Sequence, residues 1–316
     1  MCTAISIKGL AGRNLDVTKS YKEEIIITPR EYTLSYRKAN NENHHFSFIG
    51  MGTVERGYPL YFDAANEKGL YMAGLNYVGN AHYFTSKEGY INLAPYELIP
   101  YILGKCQSIS DAKREIKNIN LVDVAFNRDM PNAELHWFIS DGRSSLIIEP
   151  DEQGLSIYDN PVGVLTNNPS FPFQLFNLNN YIGLSASNPT FSFSKEISLN
   201  AYSEGMGGIG LPGDLSSASR FVRAVFHRLS SVSENTPSTL FHLLSTVEMP
   251  HGSVIANREY ERTEFTSVVN LNTMTYYYRS YDGIGSGAVR LFSENIDANS
   301  LITYPVLKNI ESIYQN

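Results

Sequence analysis

Apolar and polar positions change period several times along the chain. It opens on an apolar, largely β-branched run at residues 3–7, which reads as a strand. Lys8-Gly9 follows as a two-residue turn, with glycine free to take the positive φ such a turn requires. Residues 10–15 return as a second strand. If Lys8-Gly9 is the whole loop, Ala4 faces Arg13 and Cys2 faces Leu15. Arg13 then becomes a diagonal neighbour of Cys2 on one sheet face. Asp16 falls on the opposite face by strict alternation, unless the strand ends or bulges there.

More strands are expected at residues 24–28, closed by Pro29, at 32–37, where apolar and polar residues alternate, and at 46–50. Residues 58–64 and 69–76 read as two strands about a polar connection. Residues 95–106 carry a helical stripe of Leu98, Ile99, Ile102 and Leu103, with Pro95 suited to the first turn. A second helix opens near Ser110, with Ser108 or Ser110 as N-cap, and the two helices are expected to cover one sheet face. Strands return at 135–138, 145–149, 154–158 and 163–166. Residues 173–181 and 216–229 read as helices, the latter with Phe221, Val222, Val225 and Leu229 on one stripe, and 237–249 as another. A Tyr-rich hairpin is expected from 266–271 and 275–281. The order is strands, helices, strands, helices, strands, with no linker composition and no fixed repeat. This predicts an α+β fold in one domain over residues 1–316, with sheets face to face and helices outside.

Charge and composition narrow the function. The 316 residues carry a net charge of −7, so no basic surplus exists to neutralise nucleic-acid phosphates. The 21 tyrosines and 16 phenylalanines suit a β-rich core and an apolar ligand site. No apolar run is long enough to span a membrane, and no basic stretch followed by an apolar one opens the chain, so a cytoplasmic protein is expected. Cys2 and Cys106 make neither a disulfide framework nor a four-cysteine metal site. His44-His45 point oppositely on a strand, without a third ligand nearby, so no metal or other cofactor is expected. The glycine-rich residues 205–213 lack the Gly-Lys-Ser/Thr ending of a phosphate loop and read as an irregular, closely packed loop.

The chemistry concentrates at the start. Cys2 stands directly behind Met1, and loss of Met1 would leave a residue with a thiol and a free α-amine on neighbouring carbons. In simple peptides both titrate near neutrality. The amine can take the thiol proton, and the thiolate is the attacking species.

The sequence Met1-Cys2-Thr3-Ala4-Ile5, followed by Gly12-Arg13-Asn14-Leu15-Asp16, resembles the choloylglycine hydrolase family of N-terminal-nucleophile amidases, which includes bile salt hydrolases and penicillin V acylases. Ala73-Gly74-Leu75-Asn76, Leu165-Thr166-Asn167-Asn168-Pro169 and Ser219-Arg220-Phe221 extend the resemblance over nearly the whole chain. It implies the four-layer αββα sandwich. It also implies Cys2 as nucleophile, Arg13 stabilising the thiolate and Asp16 orienting the α-amine. The backbone of Asn76 and the side chain of Asn167 would form an oxyanion hole, with Arg220 as second site arginine. The segment between nucleophile and Gly-Arg-Asn is shorter than is usual in that family. The resemblance is nearest to bile salt hydrolases of Gram-positive gut bacteria. These cleave the amide joining a steroid acid to glycine or taurine; penicillin V is the alternative substrate. Leu15, Tyr21, Tyr58, Phe62, Phe126, Met130 and Leu135 are the candidates for the apolar part of a conjugated bile salt. A homotetramer with a protruding hairpin near residues 188–203 is expected by the same resemblance.

Overall fold

In the computed structural model of the chain, which describes residues 1–190, 193–232, 234–308 and 310, the opening hairpin forms as its sequence predicts. Strands β1 (Cys2–Ile7) and β2 (Leu10–Val17) pair with Cys2 opposite Leu15, Ala4 opposite Arg13 and Ile7 opposite Leu10. Gly9, at φ +73°, makes the turn possible. Gly12 is required for a different reason: a Cβ there would lie 2.1 Å from Ser267 O. Both strands are buried along almost their whole length, because their sheet is covered on both faces.

The chain continues through β3 (Glu24–Thr28), β4 (Phe48–Glu55), β5 (Tyr58–Asn66), β6 (Tyr71–Asn76), β7 (Ile91–Leu93), α1 (Leu98–Lys105), α2 (Ile109–Ile116), β8 (Ile119–Leu121), β9 (Leu135–Ser140), β10 (Ser145–Asp151), β11 (Gly154–Asp159), β12 (Val164–Leu165), α3 (Phe171–Asn177), α4 (Ser217–Ser230), α5 (Pro237–Ser245), β13 (Val254–Ala256), β14 (Glu259–Asn270), β15 (Thr275–Ser280), β16 (Gly287–Arg290) and β17 (Ile302–Pro305). Ser108 caps α2, its hydroxyl accepting from Asp111 N.

One large sheet has the order β12-β1-β2-β14-β15-β16, with β13 paired to β14. The other has the order β11-β10-β9-β6-β5-β4-β3-β17. Side chains of β2 show which face is which. Arg13 reaches Phe62 O and Gly74 O in the second sheet, whereas Asn14 Nδ2 donates to Leu244 O of α5. Helices α4 and α5 therefore lie outside the first sheet. Leu98, Ile102, Leu103 and Ile116 of α1 and α2 pack with Phe48, Met72 and Trp137 on the outer face of the second. The result is the four-layer αββα sandwich.

Two bulges interrupt the ladders close to Arg13 and Asp16. Phe62 is the extra residue of β5 at the Met51/Gly52 step, and Glu264 is the extra residue of β14 between Thr263 and Phe265. A bulge re-aims the groups beside it, and Phe62 turns its carbonyl to Arg13.

Several expectations need correction. Residues 32–37 form no strand: Leu34 and Glu42 make an isolated bridge, and Arg37 N donates to Glu97 Oε1 instead of a ladder. The alternation is real, because Leu34 and Tyr36 are buried, with Tyr36 ring-to-ring on Tyr101 of α1. It reflects an irregular segment with one buried side. The strand expected at 46–50 starts at Phe48 and runs to Glu55, and the late hairpin reaches back to Glu259. Helix α5 stops at Ser245, short of residue 249. Of the hairpin expected near 188–203, residues 191 and 192 lie outside the described residues, and the remainder contains no strand; two strands alone bury little surface. Among the described residues no helix is long and apolar enough to cross a membrane.

Candidate active site

The hairpin register brings Cys2 and Arg13 together between the sheets. Arg13 Nη2 donates to Cys2 Sγ at 2.7 Å. Its Nη1 donates to Gly74 O at 2.6 Å and Phe62 O at 2.9 Å, so the guanidinium is fixed by carbonyls of the facing sheet. Arg13 is fully buried. Burial opposes its charge, but Cys2, Asp63, Tyr71 and Asp16 outweigh that, and its pKa lies above the ordinary value. Asp63 supplies buried negative charge behind it. The hydroxyls of Tyr71, Tyr276 and Ser267 donate to its carboxylate, while burial pushes its pKa up against them and Arg13.

Asp16 takes the opposite face, as alternation predicts. Its Oδ1 accepts from Thr263 Oγ1 at 2.6 Å. Its Oδ2 lies 3.8 Å from Arg220 Nη1 and receives no hydrogen bond among the described residues. Arg220 projects from α4. Its Nη1 donates to Cys2 O and Thr3 Oγ1, both at 2.6 Å, and its Nη2 to Asn167 Oδ1 at 2.7 Å. Burial lowers its pKa, opposed by Asp16, Cys2 and Glu261. Asn167 Oδ1 also accepts from Cys2 N at 2.9 Å. Met1 is present and adds one more ladder step: its N donates to Asp16 O at 2.6 Å and to Glu261 Oε1 at 3.1 Å, and its O accepts from Asp16 N.

Asn76 and Asn167 meet directly. Asn167 Nδ2 donates to Asn76 O at 2.7 Å, leaving its second N–H available. The Asn76 N–H direction follows from register. Asn76 faces Leu135, but the neighbouring pair is the bonded one, with Tyr77 N donating to Glu134 O, and Leu135 N donates to Tyr83. The Asn76 amide therefore points away from β9, toward the side where Gly74 O meets Arg13. The pairing of β5 with β6 has ended there at Ala73. The Asn76 amide and Asn167 Nδ2 thus belong to one hydrogen-bonded unit that Asn167 Oδ1 ties to Cys2 N, and amide donors of this kind are able to stabilise an oxyanion.

The candidate apolar residues divide. Leu15 lies opposite Cys2 and Leu135 opposite Asn76. Tyr21 packs on Phe62 with ring centroids 5.7 Å apart. Burial, then Cys2, Glu23 and Glu261, raise its phenol pKa. Tyr58 and Phe126 make their ring contacts with each other and with Tyr96. Met130 is half-buried in a turn bridged to Asn127. No described hydrogen bond or ring contact joins those three to Cys2.

Helix α4, which delivers Arg220, is fastened ahead of its first turn by Asp214. The carboxylate accepts from Ser216 N and Ser219 Oγ; hydrogen bonding from the Ser216 side chain first, then from Ser219 and the Ser216 N–H, lowers its pKa to about 2. A depressed carboxylate pKa contributes stability above the unfolded value of about 4, lost as pH falls through about 2. Asp214→Ala is expected to destabilise the protein at pH 7 by about 0.5–1.5 kcal/mol, the usual net worth of an intramolecular hydrogen bond. The gap between variant and parent should close in thermal melts as pH drops from 4 toward 2.

Sequence reasoning missed Thr263, which holds Asp16, and Ser217 and Gln174, which hold Asn167 N and O. Thr263 reads only as part of a β-branched strand. Its role depends on a pairing with Asp16 across 247 residues, for which local pattern carries no signal.

The sequence profile of linear amide C–N hydrolases, choloylglycine hydrolase family, matches residues 2–304. A protein of Lactiplantibacillus plantarum named bile salt hydrolase/transferase is 48% identical over 314 residues, covering 97% of each chain. The structure of conjugated bile acid hydrolase from Clostridium perfringens superposes with a TM-score of 0.93 at 34% identity, covering 100% of both chains. Penicillin V acylase from Agrobacterium tumefaciens shares the fold, with a TM-score of 0.76 at 17% identity, covering 96% of this chain and 91% of that one.

Proposed function

Because the chain belongs to the choloylglycine hydrolase family of linear amide C–N hydrolases, we propose that it is a bile salt hydrolase. It cleaves the amide bond of glycine- or taurine-conjugated bile salts, and Cys2 becomes the nucleophile once Met1 is removed. The observation that carries this reading is that both reactive atoms of one residue are gripped separately: Sγ by Arg13 and N by Asn167.

In this reading the freed α-amine of Cys2 takes the thiol proton and Sγ attacks the amide carbon. Negative charge gathers on the former carbonyl oxygen, where Asn76 N–H and Asn167 Nδ2 are the donors; one such donor is typically worth about 3 kcal/mol of barrier. Collapse breaks the C–N bond, and the α-ammonium returns its proton to the departing glycine or taurine. Water, deprotonated by the same amine, then attacks the thioester carbon; the C–S bond breaks, the α-ammonium returns the proton to Cys2 Sγ, and the bile acid is released. An α-ammonium offers donors that the Cys2 amide lacks, and Asp16 Oδ2 is the buried acceptor without a donor beside Arg220. Asp16 therefore orients the amine, while Arg13 stabilises the thiolate. Tyr21, Phe62, Leu15 and Leu135 form the near wall for the steroid, with Tyr58, Phe126 and Met130 farther out.

The reading treats residues 1–316 as one domain acting in the cytoplasm, in keeping with two unpaired thiols. It also carries a homotetramer. Phe173 and Phe176 of α3, Ile182 and Tyr202 are 69–87% exposed, apolar side chains suited to burial on self-association. Initial rates on glycocholate, taurocholate and penicillin V test the substrate. Cleavage of either bile amide faster than penicillin V is expected; penicillin V as the fastest substrate would overturn the reading in favour of an acylase.

A further inference from the structure

We infer that His136, backed by Glu149, is a positioning residue that sets the spacing between the two oxyanion donors. The inference rests on the proposed roles of Asn76 and Asn167. His136 lies in β9 and is fully buried. Its Nε2 is 2.9 Å from Thr166 O, the carbonyl immediately before Asn167. That oxygen only accepts, so Nε2 carries the proton. The ring lies flat on Tyr77, with centroids 4.4 Å apart and planes 7° apart, and Tyr77 immediately follows Asn76. A single imidazole therefore touches the backbone neighbour of each donor, one by a hydrogen bond and one by stacking.

Glu149 keeps that ring in place. It is 2% exposed, and its Oε1 lies 3.3 Å from His136 Nδ1, a contact that holds the ring through a second proton placed between these two atoms. The same oxygen accepts from Phe171 N at 2.8 Å, at the first residue of α3. The segment 166–171 is thus held at its start by His136 and at its end by the carboxylate that orients His136. Ser217 and Gln174 fix the Asn167 backbone itself, but among the described residues neither is bonded to the Asn76 side. The side chains of Asn167 and Asn168 bond across to Asn76 O and Val78 O, and His136 is placed to add a buried brace behind them, from Thr166 O to the ring of Tyr77. Oxyanion donors act at about 2.7–3.1 Å from the developing charge, and a misplacement of about 1 Å can cost on the order of a hundredfold.

The test compares His136→Leu, which removes the donor, with His136→Gln, whose side-chain N–H can replace Nε2, both in Met1-free protein. His136→Leu is expected to lower kcat on glycocholate by on the order of a hundredfold, with KM and cholate binding close to those of the parent. A bile-acid aldehyde, which adds to Cys2 Sγ to give a hemithioacetal oxygen in the same place, should lose affinity in step with kcat. His136→Gln, which restores the N–H donor but not the stack on Tyr77, should recover part of both. If His136→Leu does not fold, Tyr77→Leu removes the stacking surface, together with the hydroxyl bonded to Glu149, and should show the same split. Parent-like kcat in whichever of these two variants folds, equal losses in the Leu and Gln variants at position 136, or a loss shared equally by kcat and cholate binding would each overturn the inference. Asn167→Ala measured alongside separates the failures. Parent-like kcat there would remove the oxyanion assignment itself, whereas a large loss there with a parent-like His136→Leu would remove only the role given to His136.

Discussion

Cys2→Ala is expected to abolish amide cleavage while the folded protein still binds conjugated bile salts. The loss should be on the order of a millionfold in kcat, the scale seen when a covalent nucleophile is deleted. The other thiol of the chain cannot stand in for it. Cys106 is buried in the layer formed by α1, α2 and the second sheet, and burial, then Glu115 and Asp111, push its thiol up to about 12. Folding should survive, because Arg13 retains Phe62 O and Gly74 O when Sγ is removed. Release of glycine from glycocholate reads the activity, and calorimetric titration with the same compound reads the binding. Residual turnover above about a hundredth of the parent would contradict covalent catalysis at this position, given the magnitude such deletions carry.

Arg220→Met is expected to cost about 3–5 kcal/mol of stability, the usual result of removing one member of a buried charge pair. Both Arg220 and Asp16 are fully buried. The variant leaves Asp16 Oδ2 without its nearest cation and frees Cys2 O, Thr3 Oγ1 and Asn167 Oδ1 from a shared donor. Activity should fall with it, because the same guanidinium ties the Cys2 carbonyl to the Asn167 side chain. Adding Asp16→Asn should restore part of the stability, since a neutral amide needs no counter-ion, but none of the activity. Denaturant unfolding of the parent, the single and the double variants measures the coupling. Equal stability of all three would show that the pair carries no such charge dependence.

What the sequence disclosed was local. The Cys2 to Leu15 register could be read because a two-residue turn at Lys8-Gly9 leaves one arrangement that keeps both apolar strands paired. The cap of α2 was legible only as Ser108 or Ser110, and the structure selects Ser108, whose hydroxyl accepts from Asp111 N. Residues 32–37 misled because the alternation of Leu34 and Tyr36 reports one-sided burial, which an irregular segment under α1 supplies as well as a strand does. The site residues on β2, β6, the loop after β12 and α4 were identified through family resemblance. Their meeting depends on two sheets closing over Arg13, and local periodicity carries no record of that. Thr263 and His136 act through partners that only the packed layers bring near.

The account turns on the initiator residue. While Met1 is attached, the nitrogen of Cys2 is an amide held by Asn167 and has no lone pair free to accept a proton. Protein produced with methionine aminopeptidase blocked, and verified by intact mass to keep Met1, should bind glycocholate but release no glycine from it, whereas the trimmed protein should turn it over. Equal rates of glycine release from the two preparations would contradict the proposed chemistry.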